Sequence, residues 1–594
     1  MNVDTWPNLA TMFFEQAATY REQPFLWKKR DGVYESLTWS DANARTVALA
    51  RGLLSLGIES GDRIVLVSEN RPAWPIADIA IMAAGGITTP AYTTNTPADH
   101  RHVLTDSGAR GVIVSTTKLA EKIIAGARGL DHIEFIIVME EPPTDTGGLK
   151  VLRMADVLET GQARHENVYK MAEEINRTDT ACIIYTSGTG GTPKGVMLHH
   201  GAMLHNCAGA VDALMDLGLE REIFLSFLPL SHSYEHMAGQ FFPIAIGGEI
   251  YYAEGVENLS ANMLEVRPTI MTAVPRLYEA LHQRITLGVQ KAGGLKETMF
   301  NRTLALGKKK YEQGRLGPLE CAQDVVLDKL VRDKVRERFG GRLKALVSGG
   351  APLNPDIGLF FTALGLRILQ GYGQTESAPV ISVNRAPDMR LHTVGPPIIN
   401  TEVRIADDGE ICVRGELVMQ GYWNNKEATD EAIKDGWLHT GDVGMFDEAG
   451  RLMITDRKKD IIVNSGGDNI APQRVEGILV AEQELSQAMV YGDKRPHLVA
   501  VVVPDADWLT QWKRANKKKG DLSDLATDKE LHNALAPAFG RVNKSLSNIE
   551  KVRRFIIAPE PFTVENEQMT PTMKVRRHIV RDVYGDRLEA LYKS

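Results

Sequence analysis

The sequence predicts an α/β protein with a large N-terminal domain of layered sheets, a small β-rich subdomain, and a small α+β domain at the C-terminal end. Short apolar runs alternate with helical patterns over the first 130 residues, which is typical of parallel strands joined by crossover helices. From Thr401 the pattern changes to short strands with tight turns, and another α/β unit begins beyond Asp456. A chain of 594 residues also exceeds what one core normally supports. We therefore predict domains at 1–456 and 457–594, with the β-rich subdomain at about 400–456.

The individual elements follow from local signals. Thr38 and Asp41 form a capping signal for a helix that runs to about Leu56, and a second helix is expected at 77–84. Short apolar runs bounded by turn residues predict strands. These runs are 64–67, 111–114, 135–138, 181–184, 223–227, 249–252, 270–273, 345–347, 367–369, 403–405, 410–413, 461–463 and 497–503.

Composition excludes several classes of protein. The formal charge of -8 gives no indication of a nucleic-acid partner. The four cysteines are scattered without a CxxC pair, so neither a disulfide framework nor a zinc site is expected, and a reducing cytoplasm fits best. The first fourteen residues lack the basic region of a secretory signal, and the most apolar windows are too short to span a membrane.

Residues 284–342 are mostly helical in pattern and contain the lysine run Lys308, Lys309 and Lys310. A solvated helix face is one interpretation of this run, and peripheral contact with an anionic bilayer is the other.

The eleven residues from Tyr185 to Gly195 predict a phosphate-holding loop after a buried strand. Glycines let the backbone approach an anion with its N–H groups, and the hydroxyls and the Lys194 ammonium add donors. The loop is not a Walker A motif, because Pro193 and Gly195 flank the lysine where that motif needs Gly and Ser or Thr. The candidate phosphate ligands are Thr186, Ser187, Gly188, Thr189 and Lys194.

Four further clusters follow downstream. The first combines glycines with an aromatic ring suited to a purine and with a carboxylate suited to a metal; it comprises Gln370, Gly371, Tyr372, Gly373, Thr375 and Glu376. Asp442 follows on a predicted tight turn, where it would suit ribose hydroxyls. The third cluster is the charged run 456–460 with Ser465, Gly466 and Gly467 after it, and the fourth is the segment that contains Lys574.

Together, and in this order, these motifs resemble the adenylate-forming superfamily of acyl-CoA synthetases, luciferases and adenylation domains over nearly the whole chain. The loop differs from the usual motif at Gly190, where Thr is common. The resemblance implies a large domain that holds nucleotide and acid, and a small mobile C-terminal domain that pivots above it. It also implies that the adenine pocket contains Gly349, Gly350, Ala351, Pro352 and Tyr372.

The remaining roles are likewise implied by the resemblance. Thr375 would lie near the α-phosphate, and Glu376 with Thr186 would hold Mg²⁺. Asp442 and Arg457 would bind the ribose, Lys459 would be the hinge, and Lys574 would be the catalytic lysine.

Residues 228–236 resemble the acid-pocket motif of the bacterial long-chain fatty-acid branch, with His232 at the mouth of the substrate channel. The expected reaction is therefore ATP-dependent ligation of a fatty acid to coenzyme A through an acyl-adenylate, with release of AMP and pyrophosphate. The alternatives are transfer of the acyl group to a carrier protein, a luciferase-like oxygenation, and a non-catalytic nucleotide-binding scaffold. We see no phosphopantetheine-acceptor motif, and the sequence leaves monomer and homodimer open.

Overall fold

The computed structural model describes residues 3–186, 192–458, 460–466, 468–570 and 574–593. Its strands are β1 (Pro24–Arg30), β2 (Val33–Thr38), β3 (Arg63–Val67), β4 (Ile87–Pro90), β5 (Gly111–Val114), β6 (Phe135–Val138), β7 (Val151–Arg153), β8 (Thr180–Thr186), β9 (Lys194–His199), β10 (Ile223–Ser226), β11 (Glu249–Tyr252), β12 (Ile270–Ala273), β13 (Ala345–Ser348), β14 (Ile368–Gly373), β15 (Val380–Val383), β16 (Glu402–Ile405), β17 (Glu410–Arg414), β18 (Gly421–Tyr422), β19 (Ile433–Lys434), β20 (Trp437–Phe446), β21 (Leu452–Arg457), β22 (Ile462–Val463), β23 (Asn469–Ile470), β24 (Leu485–Tyr491), β25 (Leu498–Pro504) and β26 (Val552–Ile557).

The helices are α1 (Leu9–Tyr20), α2 (Trp39–Ser55), α3 (Ala73–Ala83), α4 (Pro97–Ser107), α5 (Thr117–Ala127), α6 (Met154–Gln162), α7 (Val168–Glu173), α8 (His200–Leu214), α9 (Ser233–Glu235), α10 (Phe242–Ala245), α11 (Leu259–Val266), α12 (Pro275–Ala292), α13 (Gly294–Gln313), α14 (Pro318–Leu327), α15 (Asp333–Arg338), α16 (Pro355–Ala363), α17 (Lys426–Ala432), α18 (Pro472–Leu479), α19 (Ala506–Ala515), α20 (Leu522–Leu525), α21 (Lys529–Ser545) and α22 (Arg577–Ala590). A π-helical turn, His236–Phe241, joins α9 to α10, and a second one, Asp328–Arg332, joins α14 to α15.

Two eight-stranded sheets form the N-terminal part. The first sheet has the order β15-β14-β13-β12-β10-β11-β1-β2, and the second has the order β18-β9-β8-β4-β3-β5-β6-β7. The inner strands of the first sheet are parallel, as the alternation of strand and helix predicts, whereas β2 and β15 run antiparallel at its edges. In the second sheet, β3 to β8 pair in parallel, whereas β9 is antiparallel to both β8 and β18. Helices α1, α2, α3 and α8 contribute apolar side chains to one core cluster that includes residues from both sheets.

The C-terminal part is smaller. Strands β16, β17, β19, β20 and β21 form a separate antiparallel sheet, and β24, β25 and β26 form the central sheet of the last unit. Both faces of β25 are covered, because Leu498 and Ala500 belong to one core cluster and Val499 and Val501 to another. This explains why the strand is apolar at every position.

Local chemistry accounts for several boundaries. Thr38 and Asp41 form the predicted capping box at the start of α2. The predicted strands 111–114, 135–138, 249–252 and 270–273 have the observed bounds, and residues 284–342 form the expected run of helices. The α/β class and the large and small parts are therefore confirmed.

Two local predictions differ from the structure. Asp442 lies inside the ten-residue strand β20 rather than on a tight turn, because the chain continues through Gly441 at a positive φ of 72° without leaving the sheet. The strand predicted at 367–369 is β14 (Ile368–Gly373) and extends further, because Gly371–Gly373 pair with β15.

The lysine run is ion-paired along helix α13. Lys308 contacts Glu312, Lys309 contacts Glu320, and Lys310 contacts Asp324. Among the described residues, no helix combines the length and the apolar character needed to cross a bilayer.

Candidate active site

The predicted site lies at one edge of the first sheet. Strands β10, β12, β13 and β14 are neighbours in this sheet and run parallel to one another. Their carboxyl ends therefore meet at the same edge. Strand β10 leads to His232, and β13 leads to the segment Gly349, Gly350, Ala351 and Pro352. Ser348 pairs with Gln370, so this segment leaves β13 beside the continuing part of β14.

Tyr372, Asp442 and Arg457 lie together. The Tyr372 hydroxyl donates a 2.8 Å hydrogen bond to Asp442 Oδ2, and Arg457 Nε donates one of 3.1 Å to Oδ1. Asp442 and Arg457 are cross-strand partners in β20 and β21, which explains how residues fifteen positions apart meet. Burial, followed by the Asp442 charge, raises the pKa of the Tyr372 phenol well above its usual value, so this ring stays neutral.

Glu376 is held by a residue that the sequence analysis did not identify. The Tyr422 hydroxyl donates a 2.8 Å hydrogen bond to Glu376 Oε1, and the ammonium of Lys194 lies 5.0 Å from the centre of the Tyr422 ring. Strand β18, which carries Tyr422, pairs with β9 directly after the phosphate loop. Tyr422 therefore contacts both the metal-ligand candidate and the lysine of the loop.

The segment after His232 is anchored to the surrounding sheet. Ser233 Oγ lies 3.0 Å from Thr375 Oγ1, and the Tyr234 hydroxyl donates to the Val347 carbonyl at 2.9 Å. A Cβ on Gly349 would lie 3.0 Å from the Tyr234 ring, so this position favours glycine. These contacts tie His232 to the elements that carry Thr375 and the predicted adenine pocket.

His232 itself caps α9 by accepting the Tyr234 N–H at Nδ1, over 3.2 Å. Burial, together with the positive charge of Lys574, lowers the pKa of His232 to about 3. The imidazole is therefore neutral at physiological pH, and it can accept or donate a hydrogen bond without carrying charge.

Two buried acids lie behind this segment. Glu235 is fully buried, and its carboxyl oxygens contact the hydroxyls of Ser226 and Thr272, each at 2.6 Å. Burial raises the pKa of Glu235 to about 7, although the two hydrogen bonds act in the opposite direction. Asp78 Oδ2 lies 2.8 Å from His236 Nε2 and accepts a 2.7 Å hydrogen bond from Gln240, which anchors the π-helical turn to α3.

Lys574 approaches these residues from the far end of the chain. Lys574 is exposed to water. Desolvation by the surrounding protein, followed by the Arg457 charge, nevertheless lowers its pKa to about 8, while the charges of Asp442 and Glu376 act in the opposite direction. His232 is also near enough for the Lys574 charge to affect its pKa. The charge of Lys574 thus interacts with four residues that are distant from it in the sequence: His232, Glu376, Asp442 and Arg457.

The structure describes only some residues of the predicted phosphate loop and of the segment after Arg457. Thr186 and Lys194 are paired across β8 and β9 at the two ends of the phosphate loop. Ser465 and Gly466 form an exposed turn, where the Ser465 N–H donates to the Arg495 carbonyl and the Gly466 N–H donates to Asn464 Oδ1. Ser187, Gly188, Thr189, Lys459 and Gly467 lie outside the described residues.

Family models match most of the chain. A model described as "AMP-binding enzyme" matches residues 13–423, and one described as "AMP-binding enzyme C-terminal domain" matches residues 459–594. The chain belongs to the AMP-binding enzyme family.

Relatives within the AMP-binding enzyme family match over the full length. A long-chain-fatty-acid–CoA ligase, FadD15, of Mycobacterium bovis is 35% identical over 99% of this chain and 97% of its own. A peroxisomal long chain acyl-CoA synthetase of Arabidopsis thaliana is 30% identical over 99% of this chain and 87% of its own.

Solved structures of AMP-binding enzymes share the fold. The adenylation domain of a carboxylate reductase from Mycobacterium chelonae has a TM-score of 0.80 at 20% identity, covering 100% of this chain and 92% of its own. A benzoate CoA ligase from Burkholderia xenovorans has a TM-score of 0.71 at 22% identity, covering 97% and 99% respectively. At this identity the match supports the architecture alone.

Proposed function

We propose that this AMP-binding enzyme ligates a long-chain fatty acid to coenzyme A, using ATP and passing through an acyl-adenylate. The observation that best supports the proposal is the position of Lys574, whose pKa responds to Arg457, Asp442 and Glu376. A cation delivered beside a nucleotide site is what attack of a carboxylate on a phosphate requires, because both reactants are negatively charged. The full-length similarity to long-chain ligases gives the substrate class.

In the first half-reaction, the carboxylate attacks the α-phosphorus of ATP, an acyl–phosphate bond forms, and pyrophosphate leaves. Tyr372 would face the adenine, Asp442 and Arg457 would orient the ribose, and Lys574 would offset charge on the carboxylate and α-phosphate oxygens. His232, being neutral, would orient the acid at the channel mouth. Thr186, Lys194 and the loop between them would hold the departing pyrophosphate.

Glu376 fits a magnesium ligand by its chemistry. Its carboxylate oxygens are hard ligands of the kind that Mg²⁺ prefers, and the Tyr422 hydroxyl orients one of them. When bound, the ion would offset the charge of the phosphate oxygens. Thr186, at the end of β8, would add a hydroxyl beside it.

In the second half-reaction, the thiol of coenzyme A loses its proton to solvent and its sulfur attacks the acyl carbon. A carbon–sulfur bond forms, the acyl–phosphate bond breaks and AMP leaves. We propose that residues 457–594 rotate about Lys459 between the two halves. Fatty acid, ATP and coenzyme A are the proposed partners.

The test is ATP–pyrophosphate exchange with acids from acetate to stearate, followed by thioester analysis with coenzyme A and with holo-carrier protein. Each buried methylene contributes about 0.8 kcal/mol, so affinity is expected to rise with chain length until the channel is filled. Faster turnover of acetate or benzoate than of dodecanoate would contradict the long-chain assignment, and exclusive transfer to carrier protein would contradict the acceptor.

A further inference from the structure

Helix α14 and the turn that follows it have an apolar outer face. Leu319 and Val326 are 82% and 56% exposed, and Leu330 is 44% exposed. Val326 follows Leu319 by seven positions and Leu330 follows Val326 by four, so the three side chains lie along one side of the helical run. Val325, 72% exposed, borders the same side. We name these four residues the α14 face.

The opposite side of the same run is acidic and ion-paired. Glu320 contacts Lys309 at 2.7 Å, Asp324 contacts Arg332 at 2.7 Å, and Asp328 contacts Arg336 at 2.6 Å. Large apolar side chains are therefore directed outward here, while the ion-paired acids lie on the other side of the run together with the buried Leu327. Single exposed apolar residues are ordinary, but a contiguous group indicates an interaction surface.

The surrounding segment is strongly basic. Residues 276–342 contain fifteen Lys and Arg but only eight Asp and Glu, a net charge of +7, whereas the whole chain carries -8. The acids of α14 are already neutralised by their partners. An apolar face within a basic segment is complementary to an anionic surface with an apolar interior.

We propose that the α14 face docks on the surface of an anionic lipid bilayer. The four apolar side chains would enter the boundary between headgroups and acyl chains, and exposed basic residues near the face, such as Arg315 and Lys329, would contact the headgroups. A second copy of the chain fits less well, because a symmetric contact would bring two segments of charge +7 together.

The first test is flotation of the full chain with vesicles of mixed phosphatidylcholine and phosphatidylglycerol, without ATP, acid or coenzyme A. The variant Leu319→Gln/Val326→Gln keeps good helix formers and removes apolar area, so binding is expected to fall by about tenfold or more. The matched control is Leu264→Gln/Val583→Gln, which alters two exposed apolar residues on α11 and α22 and is expected to bind like the wild type.

The second test uses Cys321, the exposed one among the four free cysteines, which lies on α14. An environment-sensitive dye attached there is expected to shift to the blue when the same vesicles are added. Vesicles of phosphatidylcholine alone should produce a much smaller shift. The same dye at residue 583, in the variant Cys321→Ser/Val583→Cys, is expected to show none.

The proposal is overturned if the α14 variant floats like the wild type, if both variants lose binding equally, or if the dye at Cys321 does not respond. A dimer in sedimentation that the α14 variant dissociates, with vesicle binding unchanged, would assign the face to a second copy instead. Because no substrate is present in either test, these outcomes are separate from failure of the proposed ligase activity.

Discussion

At the scale of single residues, the least obvious member of the candidate site is Tyr422. It is 46 positions from Glu376 in the sequence, yet its hydroxyl holds that carboxylate and its ring faces the Lys194 ammonium. A ring that binds a cation on its face and a carboxylate at its hydroxyl keeps two opposite charges apart. This separation is consistent with the metal-ligand role that we propose for Glu376.

The variant Tyr422→Phe removes only the hydroxyl. Loss of a residue that orients a metal ligand costs about ten- to a hundredfold, so the Mg²⁺ concentration for half-maximal adenylation is expected to rise by that factor. The Mg²⁺ requirement is measured by titrating Mg²⁺ in the exchange assay, and metal affinity is measured by titrating Mn²⁺ and following its binding by electron paramagnetic resonance. Tyr311→Phe, which removes the hydroxyl that accepts the Leu391 N–H, is the control. An unchanged metal requirement in Tyr422→Phe would exclude the positioning role.

At the scale of elements, the segment from α9 through the π-helical turn connects the predicted acid pocket to the sheet. Glu235 joins it to β10 and β12 through Ser226 and Thr272, and Asp78 joins it to α3. A π turn inserts an extra residue into a helix and is frequent at functional sites. Here the turn begins at His236, directly after Glu235.

Replacement of Glu235 by Gln is expected to change stability in a pH-dependent way. Burial raises the pKa of Glu235 from 4.5 to about 7, so the folded protein keeps a proton that the unfolded chain has released. Stability conferred by this proton is present below the unfolded value and is lost as pH rises through about 7. One pKa unit corresponds to about 1.4 kcal/mol, so Glu235→Gln should raise the unfolding temperature at pH 8 by a few degrees.

Near pH 5 the difference should largely disappear, which scanning calorimetry at the two pH values can measure. Glu222→Gln is the control, and it should change the unfolding temperature at pH 8 in the opposite direction. The buried Glu222 carboxylate is paired with Lys344 at 2.6 Å, so its loss should destabilise the protein. Destabilisation by Glu235→Gln at pH 8 would show that the ionised carboxylate is needed.

At the scale of the whole molecule, the site depends on contact between distant parts of the chain. Lys574 lies beside residues from β20, β21 and the Glu376 turn. If the C-terminal unit moves between the half-reactions, this one side chain enters and leaves the site with it.

Lys574→Ala is expected to lower adenylate formation by about a hundredfold or more, because the cation acts on charge that develops at the carboxylate and α-phosphate oxygens. Thioester formation from synthetic acyl-adenylate should stay near the wild-type rate. The two half-reactions are measured separately, with Arg581→Ala, an exposed cation on α22, as the control. Equal damage to both halves would make Lys574 a structural residue.

The same lysine predicts a pH dependence. Its pKa is lowered to about 8, so the free enzyme loses the ammonium as pH rises through that value. The kcat/KM of adenylation should therefore fall above about pH 8. The kcat/KM of Lys574→Ala should be lower at every pH, but its pH profile should lack this decline.

The sequence predicted best those features that depend on local patterns. Strands 111–114 and 249–252 are apolar runs closed by turn residues, and their bounds agree with the structure. Asp442 was misplaced because Thr440 and Gly441 favour a turn, whereas pairing with β21 keeps the strand intact. Tyr422 was missed because its relation to Glu376 arises from a strand of the other sheet, which no local pattern contains.

The order of strands in the first sheet has a consequence for synthesis on the ribosome. Strand β1 lies between β2, its neighbour in the chain, and β11, where Leu26 pairs with Ile250. At translation rates of about 5–20 residues per second, the edge of β1 waits on the order of ten seconds or more for its partner to emerge. The backbone N–H and C=O groups of β1 that face β11 in the finished fold stay unpaired during the interval. Recombinant yield should thus depend on elongation speed and on chaperones that shield nascent strands.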